Sequence, residues 1–200
     1  MSKYFYLPIF ISAFLLGSSV KADTYNTFET SNYYSANRKV FVKVTPNKKA
    51  VLYKNGRKVW AKVLPELPMN LLVKNDGKRV VMIENYYGNQ NERKKEVVIF
   101  FDENGNRLSG FDLGSLADYQ NVLHTISNAD WLDKYEFNQE ENQLIVDTVV
   151  LSCPLLEKVP NDEDMKKVDE CIKPKPKENI TFSLIDGTLI SRTEIEANEK

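Results

Sequence analysis

Cys153, Cys171 and His124 are the side chains of this 200-residue chain best suited to covalent or metal chemistry. A thiolate beside an imidazole is a nucleophile, but it requires a reduced thiol and a base held against it. Two cysteines fit an oxidising compartment better, as a single bridge. A Cys153–Cys171 disulfide would close PLLEKVPNDEDMKKVDE into a loop, with an entropic gain of roughly 3 kcal/mol. With the thiols joined, one imidazole cannot assemble the usual nitrogen and sulfur ligands of zinc. His124 is therefore read as an ordinary polar residue. No metal and no cofactor is expected.

Oxygen chemistry is equally undirected. DENGN (Asp102 to Asn106) resembles a calcium loop only superficially, because Gly105 stands fourth where an EF-hand needs glycine sixth. It is read as a turn. NDED (Asn161 to Asp164) is an acidic loop without ligand spacing. A glycosidase needs only two carboxylates at a set separation, and many acids supply pairs without favouring one. No Gly-x-Ser-x-Gly elbow, phosphate-binding Gly-x4-Gly-Lys or His-Glu-x-x-His motif occurs. The chain is read as a non-enzyme. Asn179-Ile180-Thr181 has the form of a glycosylation acceptor.

Recognition is the chemistry that remains. ENYYGNQNE (Glu84 to Glu92) places Tyr86, Tyr87, Asn89, Gln90 and Asn91 between two expected strands. Tyrosine supplies rigid contact area, while glycine and amides supply adaptable hydrogen bonding. SNYYSAN (Ser31 to Asn37) has similar chemistry. Trp60 and Trp131 are read as core, with ADW (Ala129 to Trp131) alternatively exposing an indole.

The elements that must position these residues are strands. VFVKV (Val40 to Val44) alternates apolar and polar positions, as do the arms around Asn55-Gly56. Asn-Gly tolerates the positive φ angles of a type I′ turn. Further hairpins are expected at Asp76-Gly77, Asn104-Gly105, Glu140 to Asn142 and Asp186-Gly187. The plan is all-β and antiparallel: a hairpin-built sandwich or an open, blade-like stack. One short helix is expected near 115–126, where Leu116, Tyr119, Leu123 and Ile126 recur at helical spacing and Ser115 or Asp112 can cap.

Residues 1–22 are expected to be a signal peptide. An uncharged run from Tyr4 to Leu16 follows Lys3, and Val20 and Ala22 precede a cleavage point before Asp23. The run has 13 residues and contains Pro8, whereas a spanning helix needs about 20, so no stable membrane anchor is expected. A loose segment over 23–38, one β-rich domain over 39–193 and a charged tail over 194–200 complete the plan. KPKPK (Lys173 to Lys177) is read as a stiff extended connector. Removing Lys3 and Lys21 leaves 25 cations against 28 acids, a net of −3. That balance gives no reason to expect nucleic acid.

Gly56 and Gly105 are 49 residues apart, each flanked by apolar arms. KVLPELPMNLLVKNDGKRVVMIENYYG followed by VVIFFDENGNRLSGFDLGSL resembles the repeats of exported bacterial β-propeller-like proteins of unassigned function. The resemblance covers about residues 50–116. It implies blade-like sheets and brings no catalytic residues. The function expected is that of a periplasmic or secreted protein-binding domain, in concrete form an immunity protein that blocks a periplasm-directed toxin. The alternative is a cell-envelope carbohydrate-binding module or hydrolase.

Overall fold

A computed structural model describes residues 28–83, 94–117, 123–124, 129–150 and 175–195. Three four-stranded antiparallel sheets follow one another along the chain. The first contains β1 (Ser31–Tyr34), β2 (Val40–Val44), β3 (Lys49–Lys54) and β4 (Arg57–Val63). The second contains β5 (Asn70–Val73), β6 (Val80–Ile83), β7 (Glu96–Phe101) and β8 (Arg107–Asp112). A four-residue helix α1 (Leu113–Leu116) and a two-residue ribbon, β9 (Leu123–His124) with β10 (Ala129–Asp130), follow. The third sheet contains β11 (Leu132–Asn138), β12 (Gln143–Val150), β13 (Lys175–Ser183) and β14 (Leu189–Glu194). Each is a meander in which sequence neighbours pair.

Side-chain alternation explains how the sheets stack. Successive strand residues point to opposite faces. On β6, Val80 and Met82 enter a core with Val40, Val42, Leu52 and Trp60 of the first sheet. Val81 and Ile83 enter a second core with Leu144, Val146, Ile180 and Phe182 of the third. On β7, Ile99 and Phe101 face the first sheet while Val98 and Phe100 face the third. The continuous apolar runs VVMI and VVIFF are therefore strands buried on both faces, and the middle sheet separates two apolar layers. The outer sheets each bury one face against the middle sheet, and the alternation this requires is clearest on β2 and β3.

All five expected hairpins form, as β3–β4, β5–β6, β7–β8, β11–β12 and β13–β14. Two more carry no glycine. Arg38 between β1 and β2, and Lys48 between β2 and β3, hold the left-handed conformation at φ 56° and 63°. Neither has glycine at its left-handed position, although Asn37 and Pro46-Asn47 are turn formers, and the loose segment expected over 23–38 is corrected from Ser31 onward: Ser31–Tyr34 pairs with Phe41–Val44.

The helix is shorter than its expected span. Asp112 caps it by accepting from the Ser115 amide at 2.8 Å, and the helix ends at Leu116, where Ala117 turns extended at φ −134° and ψ 156°. Leu123 and His124 belong to a strand pair instead. KPKPK is also corrected in part, since Lys175 to Lys177 open β13 as extended chain. Trp131 is fully buried, which excludes the exposed-indole alternative.

Candidate functional site

Tyr86, Tyr87, Asn89, Gln90 and Asn91 lie outside the described residues, as do Cys153, Cys171 and the NDED loop. So does the expected signal peptide. DENGN is described, and it is a turn. The Asp102 carboxylate accepts from the amides of Asn104 at 2.9 Å and Asn106 at 2.7 Å, and from the Asn106 side chain. Its oxygens are committed to shaping the chain. Partial burial works to raise the Asp102 pKa, but these donors and the Arg79 charge outweigh it and hold the carboxyl below its usual value. The glycosylation acceptor is also occupied: Asn179 stands within β13 and donates to the Asp147 carboxylate at 2.8 Å.

Of SNYYSAN, Tyr33 and Tyr34 take opposite roles because they alternate on β1. Tyr33 packs against the first core and donates its hydroxyl to the Pro68 carbonyl at 3.1 Å. Tyr34 faces outward and is 54% exposed. Register places Tyr34 opposite Phe41 and Phe41 opposite Tyr53. The three rings form a row across β1, β2 and β3. Phe41 and Tyr53 stack at 4.8 Å and 12°, while Tyr34 tilts against Phe41 at 5.3 Å. Val51 and Ala61 pair next to them, and Val63, 74% exposed, ends the same face. This face covers no other described sheet.

The charge around it is concentrated. Residues 28–63 carry nine Lys and Arg against Glu29 alone, a net of +8. Lys48 pairs with Glu66 at 2.8 Å, Lys54 donates to the Asp76 carbonyl, and Lys62 donates to Asn106. Lys43, Lys49, Arg57 and Lys58 are exposed and have no carboxylate within ion-pair distance among the described residues. At the other end of the stack, residues 129–150 and 175–194 carry nine acids against four cations, a net of −5. The near balance of the whole chain thus hides a gradient from a basic first sheet to an acidic third sheet. Counting charge hairpin by hairpin would have exposed it.

The row of rings limits what the face can hold. A base or sugar stacks on an open aromatic face. Phe41 and Tyr53 each cover one face of the other, and Tyr34 is 54% exposed at the end of the row, so the surface is a mixed aromatic and cationic patch. Among the described residues, no three His, Cys, Asp or Glu side chains converge as metal ligands.

Neither a protein-family profile nor a curated protein matches the sequence. Among solved structures, the chain is similar to the WD40 domain of SCAP from fission yeast, with 10% identity, a TM-score of 0.38, and coverage of 83% of this chain and 34% of that one. It is similar to BamB from Moraxella catarrhalis, with 11% identity, a TM-score of 0.38, and coverage of 82% and 52%. The β-propeller domain of Cps50 (Swd1) from Myceliophteria thermophila matches with 9% identity, a TM-score of 0.33, and coverage of 83% and 73%. The chain spans about half the length, or less, of the first two. The fold is all-β, an open stack of three four-stranded, blade-like antiparallel sheets.

Proposed function

We propose that this chain is a non-enzymatic protein-binding scaffold whose docking surface is the outer face of the first sheet. The observation that carries this reading is the Tyr34–Phe41–Tyr53 row, exposed on a sheet with a net charge of +8. Aromatic rings held by a rigid sheet provide apolar contact at little entropic expense, and unpaired lysines attract acidic partners. The partner is an acidic protein surface. The concrete form proposed is an exported immunity protein, made with a signal peptide over 1–22 and covering a toxin delivered to the periplasm.

The test compares capture from the cell-envelope extract by the wild-type protein and by Lys43→Glu with Lys49→Glu, captured proteins being identified by mass. An acidic protein retained by the wild type, lost by the charge-reversed variant and weakened by salt supports the reading. Protection of cells against that protein's toxicity supports the immunity form. Capture that survives charge reversal but is lost in Tyr86→Ala with Tyr87→Ala removes the first sheet from the role. An N-terminus at Asp23 in the recovered protein tests export.

A further inference from the structure

Two of the hairpin turns contain Asn-Gly, and the stack treats them differently. Gly105, in the β7–β8 turn at φ 74°, lies directly against the first sheet: a Cβ there would stand 2.8 Å from Trp60 Cδ2 and 2.9 Å from Lys62 Cγ. Lys62 also donates to the Asn106 side chain at 3.0 Å, which ties the same turn to β4. Within the turn, the Gly105 amide donates to the Asp102 carbonyl at 3.0 Å, and the Asp102 carboxylate accepts from the Asn104 and Asn106 amides. Asn104 and Gly105 are thus held from both sides.

Gly56, in the β3–β4 turn at φ 76°, is the counterpart, and a Cβ there meets nothing within 4 Å. Asn55 is exposed at φ 50°, with its backbone amide on the Lys39 carbonyl at 2.8 Å. Among the described residues, neither the Asn55 side chain nor the Gly56 amide has a hydrogen-bond partner. The Asp-Gly turns differ again. The Gly77 amide donates to the Lys74 carbonyl and the Gly187 amide to the Ser183 carbonyl, each at 2.9 Å. Asp76 and Asp186 also offer an ionised carboxylate, which is a poor electrophile.

An asparagine followed by glycine sets an electrophile beside a nucleophile, and glycine has no side chain to obstruct their approach. The glycine amide nitrogen bonds to the asparagine Cγ and gives up its proton. The side-chain nitrogen takes up a proton and leaves as ammonia, so a cyclic imide remains. Water then adds to either ring carbonyl and opens the ring to aspartate or to isoaspartate. Water is the one co-reactant, and nothing is oxidised or reduced. The ring closes only when the backbone rotates out of its turn, so the rate follows the free energy of local opening.

We infer that Asn55 is a site of covalent modification by ageing, converted to aspartate and isoaspartate while Asn104 is preserved by its seat on the first sheet. Opening the β3–β4 turn disturbs no packing around Gly56. Opening the β7–β8 turn breaks the Asp102 bonds and lifts Gly105 from Trp60. Conversion replaces a neutral amide with a carboxylate and lowers the net charge of residues 28–63 from +8 to +7. Isoaspartate also adds a backbone carbon between Lys54 and Arg57, the pair that closes the hairpin. The site rests on the turn alone and stands whatever binds the first sheet.

The test is incubation of the purified protein at mildly alkaline pH, with peptide mass mapping and enzymatic methylation of isoaspartate. Asn55 is expected to convert at least about tenfold faster than Asn104, because the second turn must break its bonds and its packing to open. In concentrated urea, where neither turn persists, the two rates are expected to converge. Asn55→Gln should remove nearly all the isoaspartate formed by the folded chain. An Asn104 that converts as fast as Asn55 in the folded protein overturns the inference, as does an Asn55 that stays intact. A rate ratio that persists in urea also overturns it, since flanking sequence and not the fold would then set the difference.

Discussion

Gly105 illustrates how much a single missing side chain decides. Its positive φ alone selects glycine, and the nearness of Trp60 adds a second, independent requirement. Gly105→Ala should lower stability by about 1–3 kcal/mol, read as a lower denaturant midpoint at constant slope. Gly56→Ala, with a similar φ and open space around it, should lose less. Equal losses would mean that the turn, and not the seat on Trp60, sets the cost. Trp131 makes a related point. It is fully buried, and its indole Nε1 has no acceptor among the described residues. Trp131→Ala should cost about 3–5 kcal/mol through the cavity it leaves. Trp131→Phe should cost clearly less, since it also removes an unpaired donor. The Asn-Gly and Asp-Gly pairs were legible as turns because their conformation is local. Trp131 was legible as core from its size alone.

At the scale of elements, the turns do more than reverse the chain. The Asn37 amide donates to the Asn75 side chain at 2.9 Å, and the Asn75 amide donates to the Gln139 side chain at 2.6 Å. These residues occupy the first turn of each sheet, so one amide side chain after another ties the three sheets together at one end. Lys74 adds a bond to Asn142 at 2.6 Å. Gln139→Ala should cost about 0.5–1.5 kcal/mol and should loosen the third sheet against the second, seen as faster hydrogen exchange at the Asn75 amide. Unchanged exchange there would leave the row without a structural role. The hairpins that alternate polar and apolar residues were readable from the sequence. The β1–β2 and β2–β3 turns were not read, although Asn37 and Pro46-Asn47 stand in them, because the left-handed positions fall on Arg38 and Lys48 and not on glycine. The helix was overread for a related reason: helical spacing in Leu116, Tyr119, Leu123 and Ile126 is a weak pattern, and the β9–β10 pairing claimed Leu123.

At the scale of the whole molecule, electrostatics links stability to pH through the turns. Asp76, Asp102 and Asp186 all have pKa values below the ordinary value of 3.8. At Asp76 burial opposes the shift, but the Lys78 amide and the Lys74 ammonium outweigh it. At Asp186 the Ser183 and Thr188 hydroxyls and the Thr188 amide dominate. A carboxyl that is more acidic when folded stabilises the fold above its unfolded pKa, and that contribution is lost as pH falls through the native value. Stability should therefore be flat with respect to these groups near neutrality and fall below about pH 4. Replacing all three with Asn should flatten that acid limb in denaturation curves; an unaltered limb would assign the pH dependence to other carboxyls.

What the sequence determined by itself was local. Alternating apolar residues and turn dipeptides defined strands and hairpins, since both depend on neighbours within a few positions. What only the tertiary structure decided was which faces meet. It placed the runs VVMI and VVIFF between two sheets, left the Tyr34–Phe41–Tyr53 row uncovered, and set a basic sheet and an acidic sheet at opposite ends. Register brings residues from separate strands onto one surface, and a linear count of charge or aromatic residues does not record that meeting.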